Sequence, residues 1–569
     1  MAVLRYSDEK LERLADPDIS TIELKVDALI QLGAAHVAER ILQEHPDLLT
    51  ASRNLELADR LAGVELRWSG FASLTISERM QRAEAVIKDL DRYAGGSKLP
   101  RNLASLRVLA LHNANRWQEA VDDYKALREE GELAVNITAA VAGSYLALKG
   151  PEMAREFYQV ALDGGSNEET TVDGLFYAMI EEGNFDEAYD LVGRLKTKEP
   201  PWRHYSGTPG PIENGRRLDL EVMGVNARYY GDQLNKAWWD IDRLNRAAPG
   251  NSWVLEEHAR IALARNWNHQ ALEEFKVAAT LNSDARAAQV GVAESQLQLS
   301  DYKKAESKLL ELETSYPESP DVKQLRKDWT VHEMSELWSD FSFMRSQGPE
   351  LDGNGILATS EFYGSPLAYQ WRPVVQGRYA WAEIIEGESR LGHIGVGAEY
   401  RSPNWEILAS GGYVESRLRE DAVGKIRVGW NPGDHWKLTG EYSTFNLDTP
   451  LRALWYGIVA DRSGATLTYR WHESRQLSVN VVRSDFTDDN ERWEAGAVFR
   501  QRVIDVAHFE LDGLFSAYGS TNTREDAPYY NPEEDLSLAV GLDAEHVIWR
   551  RYDRTWMQRF IGELGNYDQ

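Results

Sequence analysis

Apolar residues recur at helical spacing over the first part of the chain, and one small residue recurs among them at a fixed period. Six alanines are 34 residues apart, except for one interval of 49, which is 34 plus an insertion of 15: Ala120, Ala154, Ala188, Ala237, Ala271 and Ala305. Apolar positions such as Leu309 and Leu312 follow the alanine at helical spacing. Because stacked pairs of helices need a small residue where they touch, this period predicts a helical solenoid with clear repeats over about residues 103–330.

The long interval coincides with a segment that cannot continue a helix. Residues 200–211 are rich in proline and glycine, so we expect a loop between two repeats over about residues 200–215. The pattern as a whole resembles the tetratricopeptide repeat family over roughly residues 20–330. The first hundred residues fit the period poorly, and there we predict only helices, such as one around residues 37–42.

Beyond Trp338 the pattern changes from helical spacing to alternation of apolar and polar residues. Residues 425–430, 476–481 and 536–545 alternate in this way, and thirteen successive strand-like segments of about ten residues can be traced. The alternative is a large soluble β domain, but a soluble sheet this wide normally folds into two layers. Tryptophans favour the strand ends, as in an interfacial aromatic girdle: Trp405, Trp430, Trp436, Trp471, Trp493, Trp549 and Trp556.

We therefore predict an α + β multidomain chain, with an α-helical solenoid over residues 1–335 and an antiparallel outer-membrane β-barrel over residues 336–569. Bacterial single-chain barrels have even strand numbers, and residues 562–569 stop inside a strand-like segment. We therefore expect the barrel to be incomplete at its C-terminus. The first ten residues lack the basic and apolar regions of a signal peptide, so we expect a mature or trimmed N-terminus.

Charge narrows the range of partners. The chain has 63 Lys and Arg against 91 Asp and Glu, a net charge of −28, which argues against a nucleic-acid partner. Residues 151–200 alone hold 4 basic and 12 acidic residues. These are either solvated helix faces or an acidic surface for a cationic chain, for which the candidates are Asp173, Glu181, Glu182 and Asp186.

Candidate chemistry is sparse. The chain has no cysteine, its histidines are scattered, and we find no hydrolase, phosphate-binding or zinc motif. We therefore expect no enzyme activity, no catalytic residue, no cofactor and no metal site.

Alternation along the predicted strands assigns side chains to the barrel lumen. If Leu511 and Phe515 face lipid, Glu510 and Asp512 face inward. The same logic gives the full set of lumen candidates: Glu441, Glu494, Glu510, Asp512, Asp543 and Glu545. They either contact a cargo or form ion pairs with inward basic residues such as Lys437, Arg492 and Arg500. Tyr529 and Tyr530, between two prolines, lie either in a loop folded over the pore or in an ordinary turn.

Three local motifs in the strand region carry a closer resemblance. Residues 449–458, 468–475 and 527–533 resemble the outer-membrane exporters of poly-β-1,6-N-acetyl-D-glucosamine (PNAG), the PNAG porin family. The resemblance implies a barrel of sixteen strands in the outer membrane and a periplasmic repeat region. It also implies export of partially de-N-acetylated PNAG for biofilm formation, with a periplasmic PNAG deacetylase and outer-membrane lipid as partners.

Two alternatives remain at this point. The chain could export another exopolysaccharide such as cellulose, or it could be a barrel-anchored repeat scaffold that recruits periplasmic partners. An acidic protein suits a polymer whose deacetylated units carry amines, which favours PNAG export.

Overall fold

Helices occupy the first part of the chain and strands the second. The structure is a computed structural model that describes residues 2–13, 19–69, 75–166, 168–207, 209–347, 352–552 and 554–569. It forms two compact units, one of Met1–Leu191 with Arg550–Arg554 and the other of Val192–Trp549 with Thr555–Gln569. The predicted fold class, a helical repeat region followed by an antiparallel sheet, is confirmed.

The helical region is a succession of paired helices. In chain order they are α1 (Ala2–Arg13), α2 (Ile19–Gln31), α3 (Ala35–Glu44), α4 (Ala51–Ser69), α5 (Ile76–Ala94), α6 (Arg101–Asn113), α7 (Trp117–Arg128), α8 (Val135–Ala147), α9 (Pro151–Asp163), α10 (Glu169–Glu181), α11 (Phe185–Lys196), α12 (Gly215–Tyr230), α13 (Leu234–Ala247), α14 (Ser252–Ala264), α15 (Asn268–Leu281), α16 (Arg286–Gln298), α17 (Tyr302–Ser315) and α18 (Pro320–His332). A 3₁₀ helix, Pro46–Leu48, follows α3. No helix in the described ranges combines the length and the apolar character needed to cross a bilayer.

The periodic alanines lie where successive helices touch. Each of the six sits on the second helix of a pair, in α7, α9, α11, α13, α15 or α17, and none is more than 2% exposed. Gly291 of α16 makes a similar close approach, because a Cβ there would lie 2.5 Å from the ring of Phe275 on α15. The predicted insertion is a loop with a two-stranded hairpin, β1 (Trp202–Arg203) and β2 (Ile212–Glu213).

In the described part of the strand region there is one sheet of thirteen strands, as predicted. They are β3 (Glu336–Gln347), β4 (Asp352–Tyr363), β5 (Trp371–Ile384), β6 (Gly387–Ser402), β7 (Trp405–Ser416), β8 (Glu420–Trp430), β9 (Trp436–Ser443), β10 (Ala460–His472), β11 (Arg475–Phe486), β12 (Glu491–Val506), β13 (Phe509–Asn522), β14 (Glu534–Arg551) and β15 (Arg554–Asp568). Each strand lies beside its neighbours in sequence, so the order runs from β3 to β15 without a crossover. A short helix, α19 (Leu451–Trp455), interrupts the connection between β9 and β10.

The two faces of the sheet have different surroundings. On β5, Val374 and Gln376 are buried while Val375 and Tyr379 on the opposite face are exposed. We call the face that carries Gln376 the inner face and the other the outer face. Large apolar side chains stay exposed along the outer face, as expected of a surface that meets lipid: Val375, Ile394, Val396, Leu467, Val479, Val481, Phe515, Leu538, Val540 and Leu542.

The two ends of the sheet differ in their longest connections between strands, although both ends also have short ones. At one end, which we call the short-connection end, four pairs of strands are joined by only two to five residues among the described residues: 403–404, 431–435, 473–474 and 507–508. The connections 444–459 and 523–533 lie at the other, long-connection end, together with the short connections 385–386, 417–419 and 487–490. Outer-membrane barrels have this asymmetry, with short periplasmic turns and longer extracellular loops.

Candidate functional site

Four of the predicted lumen carboxylates lie directly opposite one another on two neighbouring strands. In the register of β13 and β14, Glu510 pairs with Glu545 and Asp512 pairs with Asp543. Cross-strand partners share a face, and through the registers of β5 to β13 this is the inner face. The four carboxylates therefore form one strip, which lies close to the short-connection end because β13 begins at Phe509.

Arginines divide this acidic strip into two classes of carboxylate. Arg500 contacts Asp512 at 2.5 Å and Asp543 at 3.1 Å, and Arg502 Nε donates to Asp512 at 2.7 Å. Arg559 of β15 donates to Asp543 at 2.7 Å. Asp512 and Asp543 are only 2% and 4% exposed. The ion-pair interpretation therefore describes these two aspartates.

The two glutamates of the strip are more open. Glu510 forms an ion pair with Arg502, and Glu545 lies across from it on β14. Both are half-buried and face the same space as the aspartates. Carboxylates in such a position can accept hydrogen bonds from hydroxyl or ammonium groups of a ligand.

The other two lumen candidates also lie on the inner face but away from the acidic strip. Glu494 of β12 accepts a hydrogen bond from the Tyr518 hydroxyl at 2.7 Å and lies 3.6 Å from Arg492. Glu441 of β9 lies opposite Arg427 of β8 and lines a separate cavity. Neither joins the strip on β13 and β14.

Tyr529 and Tyr530 lie in the connection 523–533 between β13 and β14. The Tyr529 ring is buried and stacks on Phe486 at a centroid distance of 4.9 Å. Its hydroxyl accepts a hydrogen bond from Asn490 and donates one to Asp488, at 3.1 and 3.2 Å. Tyr530 bonds to the hydroxyl of Tyr567 on β15. Tyr529 is thus a packing residue of this connection.

A second connection, residues 444–459 with α19, covers part of the inner face; we call it the inner loop. Its buried residues Phe445, Leu454 and Val459 pack on strand residues of β5 to β8. The strand residues are Ala380, Leu391, Val414 and Val423. The inner loop also packs against the connection that carries Tyr529, through Ala453 and Ile458.

Polar contacts fasten the inner loop to the long-connection end of the sheet. Arg452 pairs with Glu386 at 2.7 Å, and the Ser389 hydroxyl donates to the Leu451 carbonyl at 2.7 Å. This segment contains one of the family motifs, but its residue pattern predicted neither the helix nor its place over the inner face. The signal available was Pro450, followed by apolar residues that break the strand alternation.

The predicted acidic candidates of the repeat region lie in the first unit. Asp173 lies within α10, Glu181 ends that helix and Glu182 follows it as the C-cap, and Asp186 is in the first turn of α11. Glu182 accepts a hydrogen bond from Arg155 at 2.8 Å. Burial raises the pKa of Glu181, and the positive charge of the nearby Lys149 offsets part of this rise. The four residues are therefore spread over two helices and differ in environment.

Two carboxylates on repeat helices of the second unit have raised pKa values, and neither was among the candidates predicted from the sequence. Burial, together with the neighbouring carboxylate of Glu257, raises the pKa of Glu256 on α14 to about 7. Burial, with Asp328 and Asp321 nearby, raises the pKa of Glu294 on α16 to about 7. In the sequence both look like ordinary surface acids of a helix.

The repeat region of the second unit docks on the short-connection end of the sheet, through Trp267 and the start of α15. Asp434, between β8 and β9, accepts hydrogen bonds from the backbone amides of His269 and Gln270 at the start of α15, at 2.7 and 3.0 Å. Trp267 Nε1 donates to the Trp471 carbonyl at 2.8 Å. Within the second unit, the repeats thus meet the end of the sheet where Glu510 and Glu545 lie.

The strand region has a counterpart among known protein families. Residues 331–569 match the family model described as the PgaA membrane beta barrel domain. This match confirms the resemblance that the barrel motifs carry. The domain that this family model describes is a membrane barrel, and the apolar outer face of the sheet agrees with that description.

Known relatives cover more of the chain. The poly-beta-1,6-N-acetyl-D-glucosamine export proteins of Escherichia coli K12 and Escherichia coli O157:H7 are each 26% identical to it over 465 residues, 80% of this chain. The chain spans 57% of the length of each of these curated relatives. A solved structure of a bacterial polysaccharide outer membrane secretin matches 42% of this chain and 80% of its own, with 26% identity and a TM-score of 0.39.

Proposed function

We propose that this chain serves in the export of partially de-N-acetylated PNAG across the outer membrane for biofilm formation. The match of residues 331–569 to a PgaA membrane barrel domain, in a chain 26% identical to PNAG export proteins, carries the proposal. The role is transport and not catalysis. The repeat region would lie in the periplasm and receive the polymer together with a periplasmic PNAG deacetylase.

The lengths of the longest connections at the two ends of the sheet support an orientation with the repeat region in the periplasm. Barrels place their short turns on the periplasmic side, and Trp267 and the start of α15 dock on the short-connection end, at Trp471 and Asp434. A polymer that leaves these repeats would next meet Glu510 and Glu545 on the inner face. Half-buried carboxylates suit a polymer with ammonium groups, and contacts of this kind are weak enough to let it move on.

The acidic strip offers a test with a matched control. The paired variant E510Q/E545Q should lower secreted polymer at least severalfold while folded barrel stays near wild type, because these side chains are not held by two arginines each. The paired variant D512N/D543N should mainly lower the amount of folded barrel, because Arg500 would lose both of its carboxylate partners. Secreted polymer is measured beside heat-modifiable, membrane-inserted protein.

The outcome separates the two interpretations of the strip. Normal secretion from E510Q/E545Q at normal barrel level would contradict the cargo path. Equal losses of secretion and barrel in both variants would assign all four carboxylates to structural ion pairing.

The polymer itself can be tested by binding. The full chain in detergent micelles should bind de-N-acetylated glucosamine oligomers in a salt-sensitive way and bind cello-oligomers weakly, because amine recognition by carboxylates is screened by salt. Equal binding of both would favour an exporter of a neutral exopolysaccharide such as cellulose. Binding of neither, with capture of periplasmic proteins intact, would favour a barrel-anchored scaffold.

A further inference from the structure

A cavity of about 140 Å³ lies between the inner loop and the inner face of the sheet. Strands β5 to β10 contribute most of its wall, and Asn446, Leu447 and Asp448 of the inner loop close one side. Its charged lining is Arg378, Lys425, Arg462, Glu441 and Asp448. Positive side chains outnumber carboxylates around this space, in contrast to the acidic strip on β13 and β14.

Two arginines of the cavity lining each have an N–H group without a hydrogen-bond acceptor among the described residues. Arg378 forms an ion pair with Asp448 at 2.7 Å, and Arg462 approaches the same carboxylate at 3.9 Å. The Nε atoms of Arg378 and Arg462 are buried and find no partner among the described residues. Buried guanidinium N–H groups without an acceptor are unfavourable, so the cavity is short of acceptor atoms.

Asp448 satisfies the two arginines only in part. Its side chain is 57% exposed, so the carboxylate reaches in from the loop and is shared with solvent. Lys425 adds a third positive charge, and the formally neutral Gln376, His393 and Ser410 complete a polar wall. A planar guanidinium group matches oxyanions better than an ammonium group does, because its N–H groups form a fixed fork.

We propose that this cavity is a binding site for a small oxyanion, held by Arg378 and Arg462 with Lys425 as an additional charge. Asp448 is then an internal competitor that occupies the arginines while the site is empty. The space is several times the roughly 10–15 Å³ that a single water needs, so an ion of the size of inorganic phosphate fits. The proposal rests on the geometry of the cavity and does not depend on the exported polymer.

A bound oxyanion would change the electrostatics of the inner face. Arg378, Lys425 and Arg462 create a positive region beside the inner loop, which would repel ammonium groups that pass. An anion in the cavity would cancel part of this charge. The site would therefore complement the acidic strip if the cargo is cationic.

The site can be tested with inorganic phosphate as the probe. We expect the full chain, folded in detergent micelles at constant ionic strength, to bind phosphate with a saturable calorimetric signal. The variant R378Q/R462Q should lower the affinity at least tenfold. D448N should raise it, by up to about fivefold if the ion pair is worth about 1 kcal/mol, because the competing carboxylate becomes neutral.

Two matched variants separate a built site from general attraction of charge. K437Q removes a positive charge of the inner face that is paired with Glu406 outside the cavity lining, so phosphate affinity should not change. R378K/R462K keeps the charge but removes the Nε–H groups, so affinity should fall markedly. Lysine variants that bind like wild type would overturn the assignment to the arginines.

Other results of the binding experiment would also support or overturn the oxyanion site. Absence of saturable binding in wild type and in D448N at millimolar phosphate would overturn the proposal, and so would an equal loss of affinity in K437Q. Near-ultraviolet circular dichroism reports whether each variant is folded. If R378Q/R462Q fails to fold, the gain in D448N and the loss in R378K/R462K decide the question. Normal polymer secretion by R378Q/R462Q would leave the anion site standing, since phosphate binding and export are measured separately.

Discussion

At the scale of single residues, the face on which a charged side chain lies could be predicted from the sequence, whereas its ion-pair partner could not. Alternation along a strand needs only the strand itself, so Asp512 and Asp543 could be assigned to one face from the sequence. Their partners depend on register, which a bulge between Arg502 and Ile504 shifts. For this reason the contacts of Arg502 and Arg559 could not be predicted.

Two buried carboxylates of the repeat helices give a prediction on pH dependence. The folded pKa of Glu256 and Glu294 is about 7, above the ordinary value of 4.5, so their contribution to stability is fully present below the ordinary value and is lost as pH rises through about 7. We therefore expect E256Q/E294Q to raise the midpoint of urea unfolding at about pH 8 and to change it much less at about pH 5. The control is Glu273→Gln, at an exposed position on α15. A difference independent of pH would contradict the burial of the two charges.

A second residue-scale prediction concerns the buried ion pair of Arg265 and Glu473. The Arg265 side chain is 2% exposed, lies over the Trp267 ring at 4.6 Å, and contacts Glu473 at 3.0 Å. Glu473→Gln leaves a buried positive charge without its partner, so unfolding should become easier by about 3 kcal/mol. The double variant R265M/E473Q should recover most of the loss in urea titrations of vesicle-inserted protein. A double variant no more stable than E473Q would mean that packing of Arg265 on the tryptophan matters more than charge.

At the scale of elements, regular periods were predictable and exceptions to them were not. The six alanines marked the second helix of each repeat, and alternation marked the strands. The inner loop follows neither period, because its five-residue helix is held by tertiary contacts of Phe445 and Leu454 with strands distant in sequence. Its place on the inner face therefore came only from the structure.

Two glycines in helices give a prediction at the scale of elements, because alanine should lower the stability of the protein at one of them and raise it at the other. A Cβ at Gly291 would lie 2.5 Å from Phe275, whereas one at Gly193 of α11 would meet nothing within 4 Å. Gly291→Ala should therefore destabilise the repeats by about 1–3 kcal/mol, because α15 and α16 would have to separate. Gly193→Ala should stabilise by up to about 1 kcal/mol, because alanine favours the helix. The loss of helical circular dichroism on heating measures both, and an equal effect of the two substitutions would contradict the close approach of α15 and α16.

At the scale of the second unit as a whole, the docking of repeats on the sheet joins residues far apart in the chain. Trp267 and Trp471 are 204 positions apart. No local period relates them, and for that reason the sequence predicted both regions but not their junction. The junction matters for the proposed function because it brings the repeats to the end of the sheet at which the inner-face carboxylates begin.

The proposed placement of the sheet in a membrane gives the last prediction, which compares two adjacent residues of β11. Val481 lies on the outer face and is 45% exposed, while Asn480 faces inward. Arginine on the lipid side of a barrel costs about 2–4 kcal/mol near the bilayer centre, whereas arginine on the inner side meets water. Val481→Arg should therefore lower the yield of heat-modifiable protein in lipid vesicles, and Asn480→Arg should leave it close to wild type. The two variants add the same charge and nearly the same volume one residue apart, so only the face differs. If Asn480→Arg were the more damaging substitution, the assignment of inner and outer faces would be reversed, and the acidic strip with it.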